Sequence, residues 1–531
     1  MSVTHIPFAD TGYFSKLICD YLDRNPELSQ FYGNFPDLEG FKNQIKTKKT
    51  AFSEASRNLL VDALQNQYKN TAVSETVSQN IASLADENTF TVTTGHQLNI
   101  FTGPLYFLYK IVTAINLADR LKREFPQQNF VPVYWMATED HDFEEIQYFN
   151  LNSTKISWNR ESSGAVGRLK TDGFDAVFKE FSALLGTSSN ADKLRELFKN
   201  TYLENNNLAE ATRYLVNELF GTYGLVIIDG DDARLKKSLA PFVKEDLLQN
   251  TSFKYVSKTD QKLAAEYKIQ VNPRKINLFY LKDAIRERII FENNLFKVNN
   301  TSLIFSESDI LNELEKYPER FSPNVIMRPL YQEVVLPNLA YIGGGGELAY
   351  WFQLKNYFDA VSTPFPILVL RNSALLATKK QLHKLDKLKI SVSEIFSKQE
   401  SLIANAVKKI SAINIDFSEQ KMHLQQQFID LKTLAAKTDP TFLGAVNAQE
   451  KKQLNGLDNL EKRLLNAQKR KLSDVVKRLS DLQNELFPNQ SLQERNQNFS
   501  VFYELMGADL IPTLIKNIDP LKFEFAVIEF E

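Results

Sequence analysis

Apolar residues run through this chain in two rhythms. In the first two thirds, short β-rich apolar runs stop abruptly at polar clusters, and apolar positions at helical spacing follow. Residues 89–94 are one such run, followed by a loop holding Gly95, His96, Gln97, Asn99, Thr102 and Gly103. From Pro104, which suits a first helical position, Leu105, Leu108, Val112, Ile115 and Ala118 recur every three or four residues. The order is strand, polar loop, helix. Residues 131–136 repeat the pattern and end in Thr138, Glu139, Asp140, His141, Asp142, Glu144 and Glu145; a helix starting near Asp140 would stack Asp140 on Glu144 and His141 on Glu145. Residues 225–228 end in Asp229, Asp231 and Asp232, and residues 367–370 in Arg371, Asn372 and Ser373. Four buried strands separated by helical text predict an α/β fold with a parallel, doubly wound sheet. Ligands bind at the carboxyl edge of such a sheet, so His96, residues 139–142, Asp229 and Arg371 converge on one region.

The rest of the chain divides by style. Residues 1–149 hold a helical lead-in, with Phe14, Leu17, Ile18 and Leu22 on one face, and the first half of the core. Residues 150–220 form a first insertion, 221–232 a core strand, 233–320 a second insertion of strand pairs and helices, and 321–373 the second part of the core. The second rhythm occupies 374–487. Phe417, Leu424 and Leu431 are seven apart, as are Leu465, Leu472, Leu479 and Leu486, and Asp439, Pro440 and Gly444 break the pattern between them. An antiparallel helical hairpin results, and its leftover apolar surface suits a second copy, giving a homodimer; the rival reading is a hairpin packed on itself. Residues 488–531 return to the core, with the strand-like FEFAVIEF near the end.

Composition narrows the chemistry. The 63 basic and 65 acidic residues provide no general field for nucleic acid. One cysteine and five histidines exclude a disulfide framework and a Cys/His structural zinc site, so no structural metal is expected; Cys19, in the amphipathic run FSKLICDYL, reads as a core thiol. The N-terminus lacks a signal-peptide pattern, and the uncharged stretch 91–109 is too polar to span a membrane, so a cytoplasmic location is expected. Neither GxGxxG nor GxxxxGK[ST] occurs at the first loop.

Asp140, His141 and Asp142, paired carboxylates beside an imidazole, suit base chemistry or cation binding, and with His96 they are the catalytic candidates. Gln97, Asn99, Thr102, Gly103, Lys110 and Glu139 are candidates for substrate contact, as are Arg328 and Arg371, which can grip carboxylates. Arg328 reads equally as half of a core ion pair. Gly343, Gly344, Gly345 and Gly346 imply a sharp excursion or a close approach; their N–H groups would cradle an anionic cofactor, although Glu347 would repel phosphate and welcome an amine. The Asp-Gly-Asp-Asp turn at 229–232 ranks second, since turns are its commoner use.

TTGHQLNIFTGPLYFLYK, VPVYWMATEDHDFEEI, RPLYQEVVLPNLAYIGGGGELAYWFQLK and, after the heptads, SLQERNQNF span nearly the whole chain. Together they resemble the cysteine-adding ligase family of bacillithiol biosynthesis. Two departures are visible: Gly95-His96-Gln97 stands where the family pattern has Gly-Gln-Gln, and the glycine run where it has Gly-Pro-Gly. The resemblance implies a Rossmann-like parallel-sheet core related to class I aminoacyl-tRNA synthetases, two connecting-peptide insertions, a long antiparallel coiled-coil arm and a homodimer. It also implies that L-cysteine is joined through its carboxyl group to the amine of glucosaminyl malate, in the last step of bacillithiol formation. Asp140, His141 or Asp142 would keep that amine neutral, and Lys110, Arg328 or Arg371 would hold the malate carboxylates. The cysteine carboxyl must be activated as an adenylate or acyl phosphate, so ATP with magnesium is the expected cofactor. RNSALLATKK after the last core strand contains no KMSKS-type motif, and KYVSK at 254–258 comes too early. Two other readings stay open: another nucleotide-dependent synthetase or nucleotidyltransferase, and a coiled-coil interaction protein with an inactive core.

Overall fold

The computed structural model describes residues 2–152 and 154–531. Its central sheet has five parallel strands, numbered here in chain order: β1 Thr89–His96, β2 Asn129–Met136, β3 Val226–Asp229, β4 Asn338–Gly343 and β5 Ile367–Leu370. Their order in space is β5-β4-β1-β2-β3. β1 is central and the winding reverses between β1 and β4, which makes that gap the topological switch point. The apolar rhythm predicts four of these strands and misses β4. That strand opens on Asn338, whose buried polar side chain is satisfied by accepting from Thr91 Oγ1 (3.2 Å) and Thr93 Oγ1 (2.8 Å) of β1 and donating to Glu333 Oε1 (2.6 Å).

Both faces of the sheet are covered. Phe90, Val92, Ala114, Leu117, Ile342 and Val369 form one packed layer, and Val131 and Val133 belong to the larger core opposite. The first insertion, between β2 and β3, carries the hairpin Tyr148–Leu151 with Thr154–Ser157 and the helices Phe174–Leu184, Ser189–Tyr202 and Leu208–Phe220. The second, between β3 and β4, begins with helices Ala233–Gln249 and Thr251–Leu263. It continues into a five-stranded antiparallel sheet in which Leu278–Lys282 lies between Ile285–Glu292 and Phe321–Pro323.

Residues 3–7, read above as part of a helical lead-in, form the strand Val3–Pro7, which pairs antiparallel with Glu524–Phe530; Ala374–Thr378 lies parallel on the other side of that last strand. The return of the C-terminus is therefore a sheet contact. In the arm, Ser418–Ala435 runs against Pro440–Lys471, and the ion pairs Lys421–Glu461 (2.8 Å) and Lys432–Glu450 fix an antiparallel register. Asp439 caps the returning helix, whereas Gly444 lies inside it.

Candidate functional site

A cleft of about 1020 Å³ opens between the carboxyl ends of β1, β2 and β4 and the inner face of the antiparallel insertion sheet. The loop after β1 shapes one rim. Gly95 and His96 are the last residues of β1 rather than loop residues, and the long helix starts at Tyr106, two residues after Pro104. Between them Phe101, Thr102 and Gly103 take φ of 48°, 68° and 62°, three successive left-handed residues. Asn498 holds this turn by donating to Phe101 O (2.7 Å) and Gly103 O (2.6 Å), and Phe101 N donates to Tyr202 Oη (2.6 Å). Thr102 and Gly103 therefore build the rim and do not line the cleft. Asn99 also turns away, donating to Glu145 O (2.9 Å). Gln97 does face the cleft, and its Nε2 donates to Asp140 Oδ2 (3.0 Å).

Asp140 lies in a turn, and the only helix nearby is the single turn Phe143–Ile146, so the expected stacking of Asp140 on Glu144 and of His141 on Glu145 does not form. Asp140 Oδ1 accepts from His141 N (2.7 Å), and Arg286 Nη1 stands 3.7 Å away. Burial pushes this carboxyl upward, but the contacts with His141, the Arg286 charge and the Gln97 amide outweigh it and hold the group well below the usual carboxylate range. Arg286 also contacts His141 Nδ1 and lies over the Phe279 ring at 4.2 Å. A guanidinium only donates, so the His141 tautomer that accepts from Arg286 at Nδ1 has its N–H at Nε2. Asp142 is exposed and outside the cleft walls. Glu139 lines the cleft, but its charge is met by the buried Lys236; burial raises its carboxyl and Lys236 opposes the rise.

His96 forms the opposite wall, between Tyr106 (5.4 Å between ring centres) and Phe107 (5.0 Å). Its Nε2 is buried without a hydrogen-bond partner. Burial, with the charges of Lys110 and Arg371 nearby, pushes the imidazole well below its ordinary value and keeps it neutral.

At the end of β4, none of the four glycines has a positive φ. Close packing accounts for Gly343, where a Cβ would lie 2.6 Å from Leu348 Cδ1, whereas one on Gly344 or Gly346 would meet only ordinary contacts. Gly344 caps the helix Gly345–Phe352, and Glu347 folds back onto it: Oε2 accepts from Gly344 N (2.8 Å) and meets Lys110 Nζ (2.6 Å), while Oε1 accepts from Tyr341 Oη (2.7 Å). The Gly344 N–H expected to face an anion is thus held by the chain's own carboxylate. Lys110 is likewise committed, to Glu347 and Gly95 O (2.7 Å). Arg371 is only 5% exposed and pairs with Glu494 (2.7 Å), inside the SLQERNQNF motif.

Arg328 differs from these cations. Nη1 donates to Gln332 Oε1 (3.2 Å), while Nη2 is buried without a partner, and no carboxylate among the described residues lies within ion-pair distance. It is a cleft cation with no direct ion pair, although the Tyr350 side chain contacts it and the Glu347 charge lies near enough to favour its charged form. Arg274, Arg286, Arg288 and Arg495 also line the cleft and escape the sequence reading. Arg286 and Arg288 alternate along Ile285–Glu292, a signal that the RERII text carries once it is taken as a strand.

The turn after β3 is structural. Asp229 accepts from Thr138 Oγ1 and from Asp231 N (2.9 Å), Asp231 takes two bonds from Arg168 (2.8 Å each), and Asp232 accepts from Arg234 N (2.9 Å). Among the described residues no group of three or more His, Cys, Asp or Glu side chains is placed to hold a metal ion, and no helix is long and apolar enough to cross a membrane.

The family model described as "Bacillithiol biosynthesis BshC, N-terminal Rossmann-like domain" matches residues 1–372, and "Bacillithiol biosynthesis BshC, C-terminal coiled-coil domain" matches 374–530. The chain belongs to the BshC family. A relative named "Putative cysteine ligase BshC", from Flavobacterium johnsoniae, is 57% identical over 98% of this chain and 99% of its own length. The relative of the same name from Cytophaga hutchinsonii is 38% identical over 100% and 99%. A solved structure titled as a putative arginyl-tRNA synthetase from Campylobacter jejuni covers 87% of this chain and 98% of its own, but at 11% identity and a TM-score of 0.23 it carries no argument. The Rossmann-like core and the coiled-coil arm expected from the family motifs are both present.

Proposed function

We propose that this cleft joins L-cysteine, through its carboxyl group, to the amine of glucosaminyl malate, the last step of bacillithiol formation, in the cytoplasm. The observation that carries the reading is the presence, in one cleft at the switch point, of an arginine with no direct ion-pair partner, Arg328, and an ionised carboxylate, Asp140. It is supported by membership of a family whose relatives are named as cysteine ligases.

Arg328 receives a malate carboxylate, and the exposed Arg274, Arg288 and Arg495 offer further charge along the cleft. Asp140, ionised at neutral pH, attracts the acceptor ammonium. Its depressed pKa favours holding that group over keeping its proton, which must pass to solvent before the neutral amine attacks. His141, with Nδ1 turned to Arg286, presents Nε2–H as a donor to the carbonyl oxygen under attack. ATP with magnesium would supply the activated cysteine carboxyl, whose bond to AMP or phosphate would break as the C–N bond forms. Because Glu347 sits on Gly344, phosphates would fall to Arg274, Arg288 and Arg495 rather than to the glycine run.

The arm would carry a homodimer contact: Met422 and Ile429, seven apart, are 60% and 51% exposed, and Leu434 is 56% exposed. The reading is tested by mass spectrometry of purified protein given cysteine and glucosaminyl malate, with and without ATP and magnesium. The cysteinyl conjugate is expected only with ATP; folded protein that forms none under either condition removes the reading.

A further inference from the structure

The reading of Arg328 as an anion anchor leaves open what aims it and what keeps its charge available. Gln332 lies one helical turn further along Arg328–Val335 and is 0% exposed. Its Oε1 accepts from Arg328 Nη1 (3.2 Å) and its Nε2 donates to Glu333 Oε1 (3.0 Å). Glu333 is in turn paired with Lys48 (3.2 Å), both side chains at most 1% exposed, and its Oε1 accepts from Asn338 Nδ2 (2.6 Å). A buried polar chain therefore runs Lys48–Glu333–Gln332–Arg328 and ends at a guanidinium whose Nη2 has no partner.

Burying such a chain is costly unless every group in it is satisfied, and the only open donor named along it is Arg328 Nη2, on a residue that lines the cleft. The carboxylate in the chain, Glu333, is matched by Lys48, and between it and Arg328 stands a neutral amide. A carboxylate at 332 would neutralise Arg328; an apolar side chain would leave Nη1 unaimed.

We propose that Gln332 is a positioning residue, which orients Arg328 through Oε1 and, being uncharged, keeps that arginine free to bind a carboxylate of the incoming substrate. This rests on the function proposed above, but its test can separate the two. The acceptor's charged end is represented by L-malate, titrated calorimetrically into the full-length protein. Gln332→Glu and Arg328→Gln are each expected to weaken malate binding tenfold or more, and Gln332→Met, which stays neutral but loses the amide oxygen, by about three- to tenfold. The decisive readout is the double variant: Arg328→Gln with Gln332→Met should bind no more weakly than Arg328→Gln alone, because Gln332 acts only through the arginine. In turnover the same variants should raise KM for the acceptor and leave KM for cysteine unchanged.

Wild-type malate affinity in folded Gln332→Met or Gln332→Glu overturns the proposal, as do losses that add in the double variant. If glutamate at 332 prevents folding, the methionine variant decides alone. Malate binding with this pattern but no conjugate would sink the ligase reading and keep this inference; conjugate formation with unchanged acceptor KM in the Gln332 variants would do the reverse. No measurable malate binding by the parent protein overturns the inference outright.

Discussion

Replacing Lys48 by methionine removes the cation from the most deeply buried ion pair and leaves the Glu333 carboxylate with only amide donors, Asn338 (2.6 Å) and Gln332 (3.0 Å). A buried, uncompensated carboxylate escapes by taking a proton. That escape costs about 1.36 kcal/mol for each pH unit above an unfolded pKa of about 4.3. The ceiling on the loss is therefore about 4 kcal/mol at pH 7.5 and about 1.6 kcal/mol at pH 5.5, in line with the ~3–5 kcal/mol typical of broken buried pairs. The sign follows from burial, which already pushes Glu333 upward while Lys48 resists. Without Lys48 the folded pKa stands further above the unfolded one, so the folded chain binds the extra proton. The variant's deficit must then grow as pH rises. For a cooperative unit the size of residues 1–372, the loss at pH 7.5 corresponds to a drop of about 5 °C in melting temperature, and of about 2 °C at pH 5.5. Scanning calorimetry at the two pH values is the assay, with Lys48→Met/Glu333→Gln beside the single variant. The double variant should recover most of the loss. A drop independent of pH, or a double variant no better than the single, would refute the argument that an unpaired charge is the cause.

The other expectations concern the cleft and the arm. Asp140→Asn should cut kcat/KM for the acceptor by about 10- to 100-fold, the loss of one hydrogen bond to a charged group, measured by initial rates at limiting acceptor. Because the Asp140 carboxyl is depressed, its stabilisation is present above the unfolded pKa of about 3.9 and lost as pH falls through the folded value, so the melting-temperature gap to the parent should narrow below about pH 4. His96, held neutral by burial, must charge on unfolding in acid, so the parent should gain stability with rising pH up to about 6.5, and His96→Gln should flatten that slope in thermal melts. Light scattering should report a dimer at micromolar concentration, and Met422→Lys with Ile429→Lys a folded monomer.

The parts of the fold legible in the sequence are those where burial leaves no choice. β2 and β5 are covered on both faces and read as unbroken apolar runs, VPVYWM and ILVL, and the heptads of the arm announce themselves. β4 was illegible because its buried asparagine is stabilised by threonines of β1, a tertiary contact that local periodicity cannot carry. The same limit separates the site residues. Gln97, Asp140 and His96 were recognisable as polar groups at strand ends. Whether a cation is free or spent depends on partners far away in sequence: Glu494 silences Arg371 across 123 positions, and Glu347 silences Lys110, while Arg328 is left open. Asn99, Thr102 and Gly103 fit the loop pattern equally well, yet Asn99 spends its side-chain amide on Glu145 O and the turn through Thr102 is pinned by Asn498 at Phe101 O and Gly103 O.

The central claim, that the switch-point cleft holds the acceptor between Arg328 and Asp140, is tested most directly by a crystal structure of the protein soaked with glucosaminyl malate. A malate carboxylate on Arg328 Nη2, with the amine turned toward Asp140, is the predicted result. Ligand seated instead in the smaller pocket between Tyr13 and Phe487 at the base of the arm, or in the cleft with Arg328 untouched, would contradict the account.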